Sequence, residues 1–235
     1  MNIKSIKELL PKKIYEKLSD IQLFYEGFHN KTYLANYGDE KVQIRVAINK
    51  IAQHKDEIEY IKNDYDYIYF TDEILVKKWY EGHILNEKNL TKKDCYVILD
   101  KMKKVWENKG NYTKMNWFYY TIDDVKYKKI VEKYKDDFND TIHGDIRAKN
   151  IIHTYNNDFI LIDFEWVRKG SKYFDICSFL KFSKLSKQEV IDYLKLDKEK
   201  LEDYIYITNL FNKNAYYQVY DKLKDFYIGE IKNKK

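Results

Sequence analysis

The chain has 235 residues, of which 44% are hydrophobic, 34% are charged and 17% are aromatic. Disordered chains are poor in aromatic residues, so this composition predicts a folded protein with one large core or two smaller ones. The net charge of +5 results from 43 basic and 38 acidic residues whose signs alternate along the chain. Alternating charges are typical of solvated helix faces, and they argue against a nucleic-acid-binding surface.

The first residues contain no long apolar stretch, and no window of the sequence approaches the ~18 apolar residues that a membrane span needs. Cys95 and Cys177 are far apart and match no metal-binding spacing. Two such cysteines are typical of buried thiols in a reducing compartment. The sequence therefore predicts a cytoplasmic protein that does not insert into a membrane.

The first third of the chain reads mainly as strands. Short runs rich in apolar and aromatic residues span residues 21–27, 31–38 and 41–48. In the third run the alternation places Val42, Ile44, Val46 and Ile48 on one face and leaves Arg45 on the other, polar face. A helix is predicted over 52–63, and two more strands are predicted within 65–82.

After residue 90 the pattern changes to helices. Thr91 and Asp94 are spaced as a capping box at the start of a helix over 91–106, and Ser186 and Glu189 repeat that spacing before a helical C-terminal end. A single strand region, 141–164, interrupts the helices. We therefore predict an N-terminal nucleotide-binding lobe over residues 1–80 and a catalytic and substrate-binding lobe over residues 81–235, with the ligand site between them.

The segment TIHGDIRAKNII, residues 141–152, concentrates polar side chains between apolar flanks. A strand at 159–162 would pair with 150–152 across a turn at 155–158, so that Asn150 comes near Asp163. Asp145 would then lie on the loop beside them. Grouped oxygen ligands of this kind suit Mg²⁺, and a neighbouring carboxylate suits a base that orients a hydroxyl nucleophile.

The order His143-Gly144-Asp145, Asn150 and then Ile162-Asp163-Phe164-Glu165 resembles the kinase-like small-molecule phosphotransferases. That family includes choline and ethanolamine kinases and aminoglycoside phosphotransferases. The resemblance implies an α+β, protein-kinase-like two-lobed fold with a small strand-rich N-terminal lobe and a larger helical C-terminal lobe. It also implies ATP and Mg²⁺ as cofactors.

The segments IDFEW and KYFDICSF are most similar to the choline and ethanolamine kinase form. The expected substrate is therefore a small-molecule alcohol, with choline or a similar amino alcohol as the first choice. An aminoglycoside or a sugar or vitamin alcohol is the alternative within the same fold. A nucleotide-binding pseudokinase is the alternative outside catalysis, because the segment YEGFHNK has a single glycine where a phosphate-covering loop usually has more.

For the reaction itself, the resemblance implies Asp145 as the catalytic carboxylate. Asn150 and Asp163 would hold Mg²⁺, and Glu165 would lie near a second metal ion or the substrate. Asp175 would brace the catalytic loop, and a structural role for His143 is preferred to a catalytic one.

For nucleotide binding, the resemblance implies that Arg45 steadies the phosphates. Its ion-pair partner would be Glu57, with Glu59 nearly as suitable. Asn30 belongs to the glycine-poor loop that would cover the phosphates. The backbone of the segment that links the lobes would hold adenine, at Lys77, Lys78 and Trp79.

Substrate contacts are predicted at Arg147 and Lys149, a basic pair that suits the transferred phosphate or an acidic group of the substrate. Trp166 directly follows the metal-binding motif, and it either faces a cationic substrate or belongs to the core. The sequence leaves the oligomeric state open.

Overall fold

The computed structural model of the protein describes residues 5–27, 29–48 and 54–232, with side chains described as far as residue 215 and at Gln218. The N-terminal region forms a five-stranded antiparallel sheet with the strand order β1-β2-β3-β5-β4. Its strands are β1 (Leu18–Glu26), β2 (Asn30–Tyr37), β3 (Glu40–Ala47), β4 (Tyr67–Phe70) and β5 (Ile74–Lys78). These strands confirm the predicted strand-rich N-terminal lobe.

Two short helices precede the sheet, α1 (Ile6–Leu9) and α2 (Lys12–Tyr15). Pro11 separates them at the N-cap of α2, where its missing N–H leaves no helical hydrogen bond unmade. The helix α3 (His54–Ile61) connects β3 to β4. The first two residues of the predicted helix over 52–63 lie outside the described residues.

The alternation predicted for β3 is confirmed on its apolar face, where Val42, Ile44 and Val46 are buried against α1 and α2. The opposite face was expected to be polar, yet Arg45 is also buried, with 9% of its surface exposed. Its guanidinium contacts Glu57 of α3 and Asp163 of the C-terminal region. The second face of the sheet is therefore covered by a helix and by the other lobe.

The C-terminal region is mainly helical, with α4 (Lys92–Trp106), α5 (Val125–Lys133), α6 (Lys172–Phe179), α7 (Lys187–Leu194) and α8 (Lys198–Lys232). Both predicted capping boxes are present, because Thr91 and Ser186 each exchange hydrogen bonds with the acidic residue three positions later. Most of the buried apolar residues form two clusters, and the chain passes from one cluster to the other between Val76 and Leu85.

Short strands surround the predicted catalytic segment. The strand β8 (Ile151–Thr154) lies between β6 (Gly82–Ile84) and β9 (Phe159–Leu161), and β7 (Asp140–Ile142) pairs with β10 (Arg168–Gly170). The predicted hairpin is confirmed, since Ile151 pairs with Leu161. The strands β6 and β10 were not predicted. Within the described residues, no helix combines the length and the apolar character that crossing a membrane requires.

Candidate active site

A buried carboxylate holds the loop that follows β7. Asp175 of α6 accepts hydrogen bonds from the backbone N–H groups of His143 (2.8 Å) and Gly144 (3.0 Å) and from Nε1 of Trp106 (3.0 Å). Burial raises the pKa of Asp175, while these donors act in the opposite direction. The bracing contact predicted for Asp175 is thus present, and it fixes the start of the catalytic segment.

His143 is fully buried, and its ring packs against Phe164. Its Nε2 lies 3.1 Å from the carbonyl oxygen of Ile162, and its Nδ1 lies 3.4 Å from the backbone nitrogen of Asp145. Both contacts fit an imidazole that carries its proton on Nε2, because Nδ1 must then accept from the Asp145 N–H. The ring joins the catalytic loop to the strand that leads to Asp163, which supports the structural interpretation.

Gly144 allows the turn that brings this loop close to the predicted metal-binding motif. Its φ is +81°, and a Cβ atom at this position would lie 2.3 Å from the carbonyl oxygen of Trp166. A side chain would therefore meet both backbone strain and a backbone clash. The glycine sets the distance between the two motifs.

Asp145 and Asn150 are in direct contact. The amide nitrogen of Asn150 donates to Oδ2 and to the backbone carbonyl of Asp145, both at 2.9 Å. Arg147 forms an ion pair with the same Oδ2. The Asp145 side chain keeps 19% of its surface exposed, so a substrate hydroxyl can reach the carboxylate from the cleft.

Asp163 follows β9 in the left-handed conformation, with φ 69° and ψ 61°. The N–H of Ile162 donates to the carbonyl of Asn150 (3.0 Å), which holds the two predicted metal-binding residues in register. Nη1 of Arg45 lies 3.3 Å from Oδ1 of Asp163 and thereby connects the sheet of the N-terminal lobe to this motif.

The structure pairs Arg45 with Glu57 rather than with Glu59, whose carboxylate binds Lys62 and the backbone of Asn111. Burial alone would raise the pKa of Glu57, but the Arg45 charge and a hydrogen bond from His54 lower it to about 2. Burial likewise opposes the charge of Arg45, whereas Glu57 and other carboxylates keep its pKa above the ordinary value. Both groups are therefore charged at neutral pH.

Glu165 connects the lobes at a second point. Its Oε2 accepts a hydrogen bond of 2.8 Å from Nδ2 of Asn30, at the start of β2. Burial and the neighbouring Asp163 charge raise the pKa of Glu165 to about 7. Oδ1 of Asn30 is buried without a partner among the described residues. The predicted residues of the glycine-poor loop and the metal-binding motif are thus brought together.

The donor set at this point suits Mg²⁺. Magnesium usually takes one or two carboxylates and completes its octahedral shell with water and substrate phosphates. Asp163 and Glu165 supply two carboxylates, and the Oδ1 atom of Asn150 accepts no hydrogen bond from the described residues. Within those residues no group of three His, Cys, Asp or Glu side chains could hold a metal ion. The set therefore fits a cation that is shared with a phosphate ligand.

In the segment that links the lobes, two of the backbone groups predicted to contact adenine already have partners. The N–H of Lys78 donates to the carbonyl of Asp66 (2.8 Å), and the N–H of Trp79 donates to the carbonyl of Lys41 (2.9 Å). Both groups are already paired within the sheet, so a base cannot use them. The Trp79 ring lies 5.0 Å from the ring of Phe24, in an edge-to-face contact.

The predicted substrate residues are only partly assembled. Trp166 is half-buried, and its ring lies 6.0 Å from that of His29, in the loop between β1 and β2. Lys149 is exposed, and among the described residues its side chain makes no ion pair. Arg168 was not predicted, yet it donates from Nε to the carbonyl of Trp166 (3.0 Å) and lies over its ring. Its position depends on β10, a strand too short to recognise in the sequence.

Solved structures with the same architecture are kinase-like phosphotransferases. The choline kinase LicA from Streptococcus pneumoniae matches with a TM-score of 0.67 at 18% identity, over 93% of this chain and 90% of that chain. The aminoglycoside phosphotransferase APH(4)-Ia matches with a TM-score of 0.59 at 12% identity, over 90% of each chain. An ethanolamine kinase from Plasmodium vivax gives 0.58 at 16% identity, over 87% of this chain and 76% of that chain. The predicted protein-kinase-like α+β fold is thereby confirmed.

The sequence comparison defines the family within that fold. The model of the ecdysteroid kinase-like family matches residues 62–204, and the chain belongs to this family. An uncharacterized protein of Metamycoplasma hominis is 28% identical over 218 residues, which are 92% of this chain and 44% of that protein. A second relative, an uncharacterized protein of Mycoplasma pneumoniae, is 24% identical over 81% of this chain and 76% of its own length. The chain thus spans less than half the length of the first relative.

Proposed function

We propose that the chain is a Mg²⁺-dependent phosphotransferase that moves the terminal phosphoryl group of a nucleoside triphosphate to the hydroxyl group of a small molecule. ATP is the donor that the family resemblance implies. One observation carries the proposal: Asn150 contacts the Asp145 carboxylate, and the neighbouring Asp163 contacts Arg45. A carboxylate suited to act as the base, two groups suited to bind a metal ion and a fixed cation therefore lie close together.

Phosphoryl transfer requires aligned oxygens and neutralised phosphate charge more than covalent help from the protein. The substrate oxygen forms a bond to the γ-phosphorus, the bond to the β-phosphate oxygen breaks, and the hydroxyl proton passes to Asp145. Bound Mg²⁺, held by Asn150, Asp163 and Glu165, would neutralise charge on the phosphates. Arg45 adds a fixed positive charge, because Glu57 and Asp163 hold its guanidinium in place.

Choline or a similar amino alcohol is the first candidate substrate. Two of the structurally similar proteins are a choline kinase and an ethanolamine kinase. The half-buried ring of Trp166 offers a face to a substrate cation, although Arg168 already lies 5.3 Å from that ring. An amino alcohol would therefore have to share this aromatic face with a protein cation.

A second candidate is a neutral or acidic alcohol, in the class of sugars, vitamins or larger glycosides. It is favoured by Arg147 and Arg168, two positive groups near Asp145 and Trp166 that would repel a quaternary ammonium. The structurally similar aminoglycoside phosphotransferase shares the fold, but aminoglycosides carry several positive charges, so the two arginines favour a sugar or vitamin alcohol over an aminoglycoside. A substrate panel separates the two candidates.

The test is nucleoside diphosphate release with Mg²⁺ and either ATP or GTP, across choline, ethanolamine, thiamine, sugars and aminoglycosides. We expect one alcohol to drive turnover, and Asp145→Asn to lower it by about 10²–10⁴-fold, the usual contribution of a catalytic base. EDTA should abolish it. Asp158→Asn is the matched control, since its carboxylate lies in the exposed hairpin turn and pairs with Lys101. Equal losses in both variants would contradict the assignment of Asp145.

The pseudokinase alternative predicts a different result. In the structure Arg147 forms an ion pair with the Asp145 carboxylate, and the predicted phosphate-covering loop contains a single glycine. If the protein binds nucleotide with Mg²⁺ but releases no diphosphate with any alcohol, the catalytic proposal fails. The chain would then be a nucleotide-binding protein.

A further inference from the structure

Lys77 is a buried charge at the end of β5, where the chain leaves the N-terminal sheet. It pairs with Gln43 of β3, and Arg45 lies two residues further along β3, so Lys77 and Arg45 share a face of the sheet. That face meets the C-terminal lobe, because Arg45 contacts Asp163 there. Only 6% of the surface of Lys77 is exposed.

Among the described residues, the ammonium group has aromatic neighbours and no hydrogen-bond acceptor. Nζ lies 4.4 Å from the ring centre of Tyr80 and 5.7 Å from that of Tyr67. Among the described residues, no oxygen forms a hydrogen bond or an ion pair with it, whereas the adjacent Lys78 pairs with Asp66. The Tyr80 hydroxyl also donates to Asp66 (3.0 Å), which fixes the Tyr80 ring beside Nζ.

Nζ is not among the solvent-inaccessible side-chain atoms that lack a partner in the described part of the chain, so its three donors can meet an acceptor from outside the protein. The aromatic faces compensate only part of the charge. An acceptor supplied by a ligand would complete the site. The proposed function places the phosphates near Arg45 and Asp163. The base of the nucleotide would then extend along the same face of the sheet towards Lys77, where the chain leaves the N-terminal lobe.

We propose that Lys77 reads the purine edge and favours a 6-oxopurine nucleoside triphosphate, such as GTP, over ATP. Guanine presents two acceptors on this edge, O6 and N7, and lysine is a common partner for them. Adenine presents N7 together with a donor amino group at position 6, which faces the ammonium unfavourably. This inference rests on the proposed function, since it requires that the cleft binds a nucleotide.

The state of the ammonium supports the proposal. Burial and the Arg45 charge lower the pKa of Lys77 to about 8, against the opposing effect of Glu57, Asp163 and Asp64. The group therefore remains mainly protonated at neutral pH and acts as a donor. A charge-assisted hydrogen bond of this kind corresponds to about a ten- to hundredfold difference in affinity.

The experiment measures the affinity of the full chain for β,γ-imido analogues of ATP, GTP and ITP with Mg²⁺, by titration calorimetry. Inosine shares O6 with guanine but lacks the 2-amino group, so it isolates position 6. We expect the GTP and ITP analogues to bind about ten- to a hundredfold more tightly than the ATP analogue. Lys77→Met should bring the three affinities close together, and Lys77→Arg should preserve the preference.

Lys41→Met is the matched control, because it also removes one lysine charge from the strand lobe, at an exposed position paired with Glu81 (3.1 Å). It should leave the preference unchanged. Tighter or equal binding of the ATP analogue by the wild type, or a guanine preference that Lys77→Met retains, would overturn the inference while leaving the proposed function in place. Preference for GTP but not ITP would assign the selectivity to the 2-amino group and also overturn it. Binding of none of the three would overturn the proposed function as well.

Discussion

Two arginines hold carboxylates of the candidate site, and they do so in opposite surroundings. The Arg45 side chain is 10% exposed and pairs with Glu57 and Asp163, whereas the Arg147 side chain is 52% exposed and, among the described residues, forms an ion pair only with Asp145. A charge pair in a buried environment is strong and difficult to separate, while water readily replaces one partner of an exposed pair. The contacts of Arg45 in the N-terminal lobe are therefore fixed, whereas the contact between Arg147 and Asp145 on the catalytic loop can open.

Under the proposed function, this difference matches two tasks of phosphoryl transfer. The phosphates need positive charge that is already in place before the reaction, which Arg45 of the buried pair would provide. The base must first be protected and then released to a substrate hydroxyl, which the exposed pair permits. The catalytic loop is braced through its backbone by Asp175, so Arg147 can leave Asp145 without loosening the loop.

Breaking the buried pair should have the largest effect on stability. Glu57→Ala leaves the Arg45 charge buried without its main partner, and we expect the free energy of unfolding to fall by about 3–5 kcal/mol in urea denaturation. Glu59→Ala, on the same helix, is the control and should cause a much smaller loss, because the Glu59 carboxylate is partly exposed and its partners, Lys62 and the Asn111 N–H, do not leave a charge buried. The double variant Arg45→Met with Glu57→Leu should recover much of the lost stability, since no unpaired charge remains. Equal losses for Glu57→Ala and Glu59→Ala would show that the stability of the N-terminal lobe does not depend on the Arg45–Glu57 pair.

The N-terminal sheet carries a second buried cation, Lys77. Burial and the Arg45 charge disfavour its protonated form, whereas the charges of Glu57, Asp163 and Asp64 favour it. Its pKa falls from 10.5 to about 8 on folding, so the folded state binds fewer protons than the unfolded state between these values. The unfavourable contribution is fully present below about pH 8 and disappears as the pH rises towards 10.5. Stability should therefore increase with pH in this interval.

Lys77→Met removes that contribution. We expect the variant to be more stable than the wild type at pH 7, and this advantage to shrink by about 3 kcal/mol as the pH approaches 10.5. Tyr67 and Tyr80 have raised pKa values and titrate at high pH in both proteins, so the difference between the two proteins isolates the lysine. Urea denaturation at a series of pH values measures it. A difference that does not change with pH would mean that Lys77 is not a perturbed cation.

Features that depend on neighbours in the sequence were predictable. The capping boxes at Thr91 and Ser186 need residues only three positions apart, and the burial of Val42 and Ile44 follows from the two-residue period of a strand. The catalytic hairpin was recognisable for the same reason, because its turn and both its strands lie within 151–161. Local chemistry determined all three.

Features that depend on distant parts of the chain were not predictable. The strands β6 and β10 have three residues each and exist only because β8 and β7 lie beside them. The Asn30–Glu165 hydrogen bond joins residues 135 positions apart. The choice between Glu57 and Glu59 depends on which side of α3 faces β3, and the burial of Lys77 depends on packing over the sheet. Tertiary packing determined each of these.

The exposed pair gives the smallest and most informative effect. Arg147→Gln should leave the free energy of unfolding within about 0.5 kcal/mol, as for most surface substitutions. It should lower kcat/KM by about tenfold, because one charge-assisted contact to the transferred phosphate is lost. Steady-state kinetics at low and high salt measures this, and the loss should shrink at high salt. Lys149→Gln, an exposed position two residues away, should have less effect. A rise in kcat/KM for Arg147→Gln would instead mean that the arginine only blocks Asp145, and that the open loop is the active form.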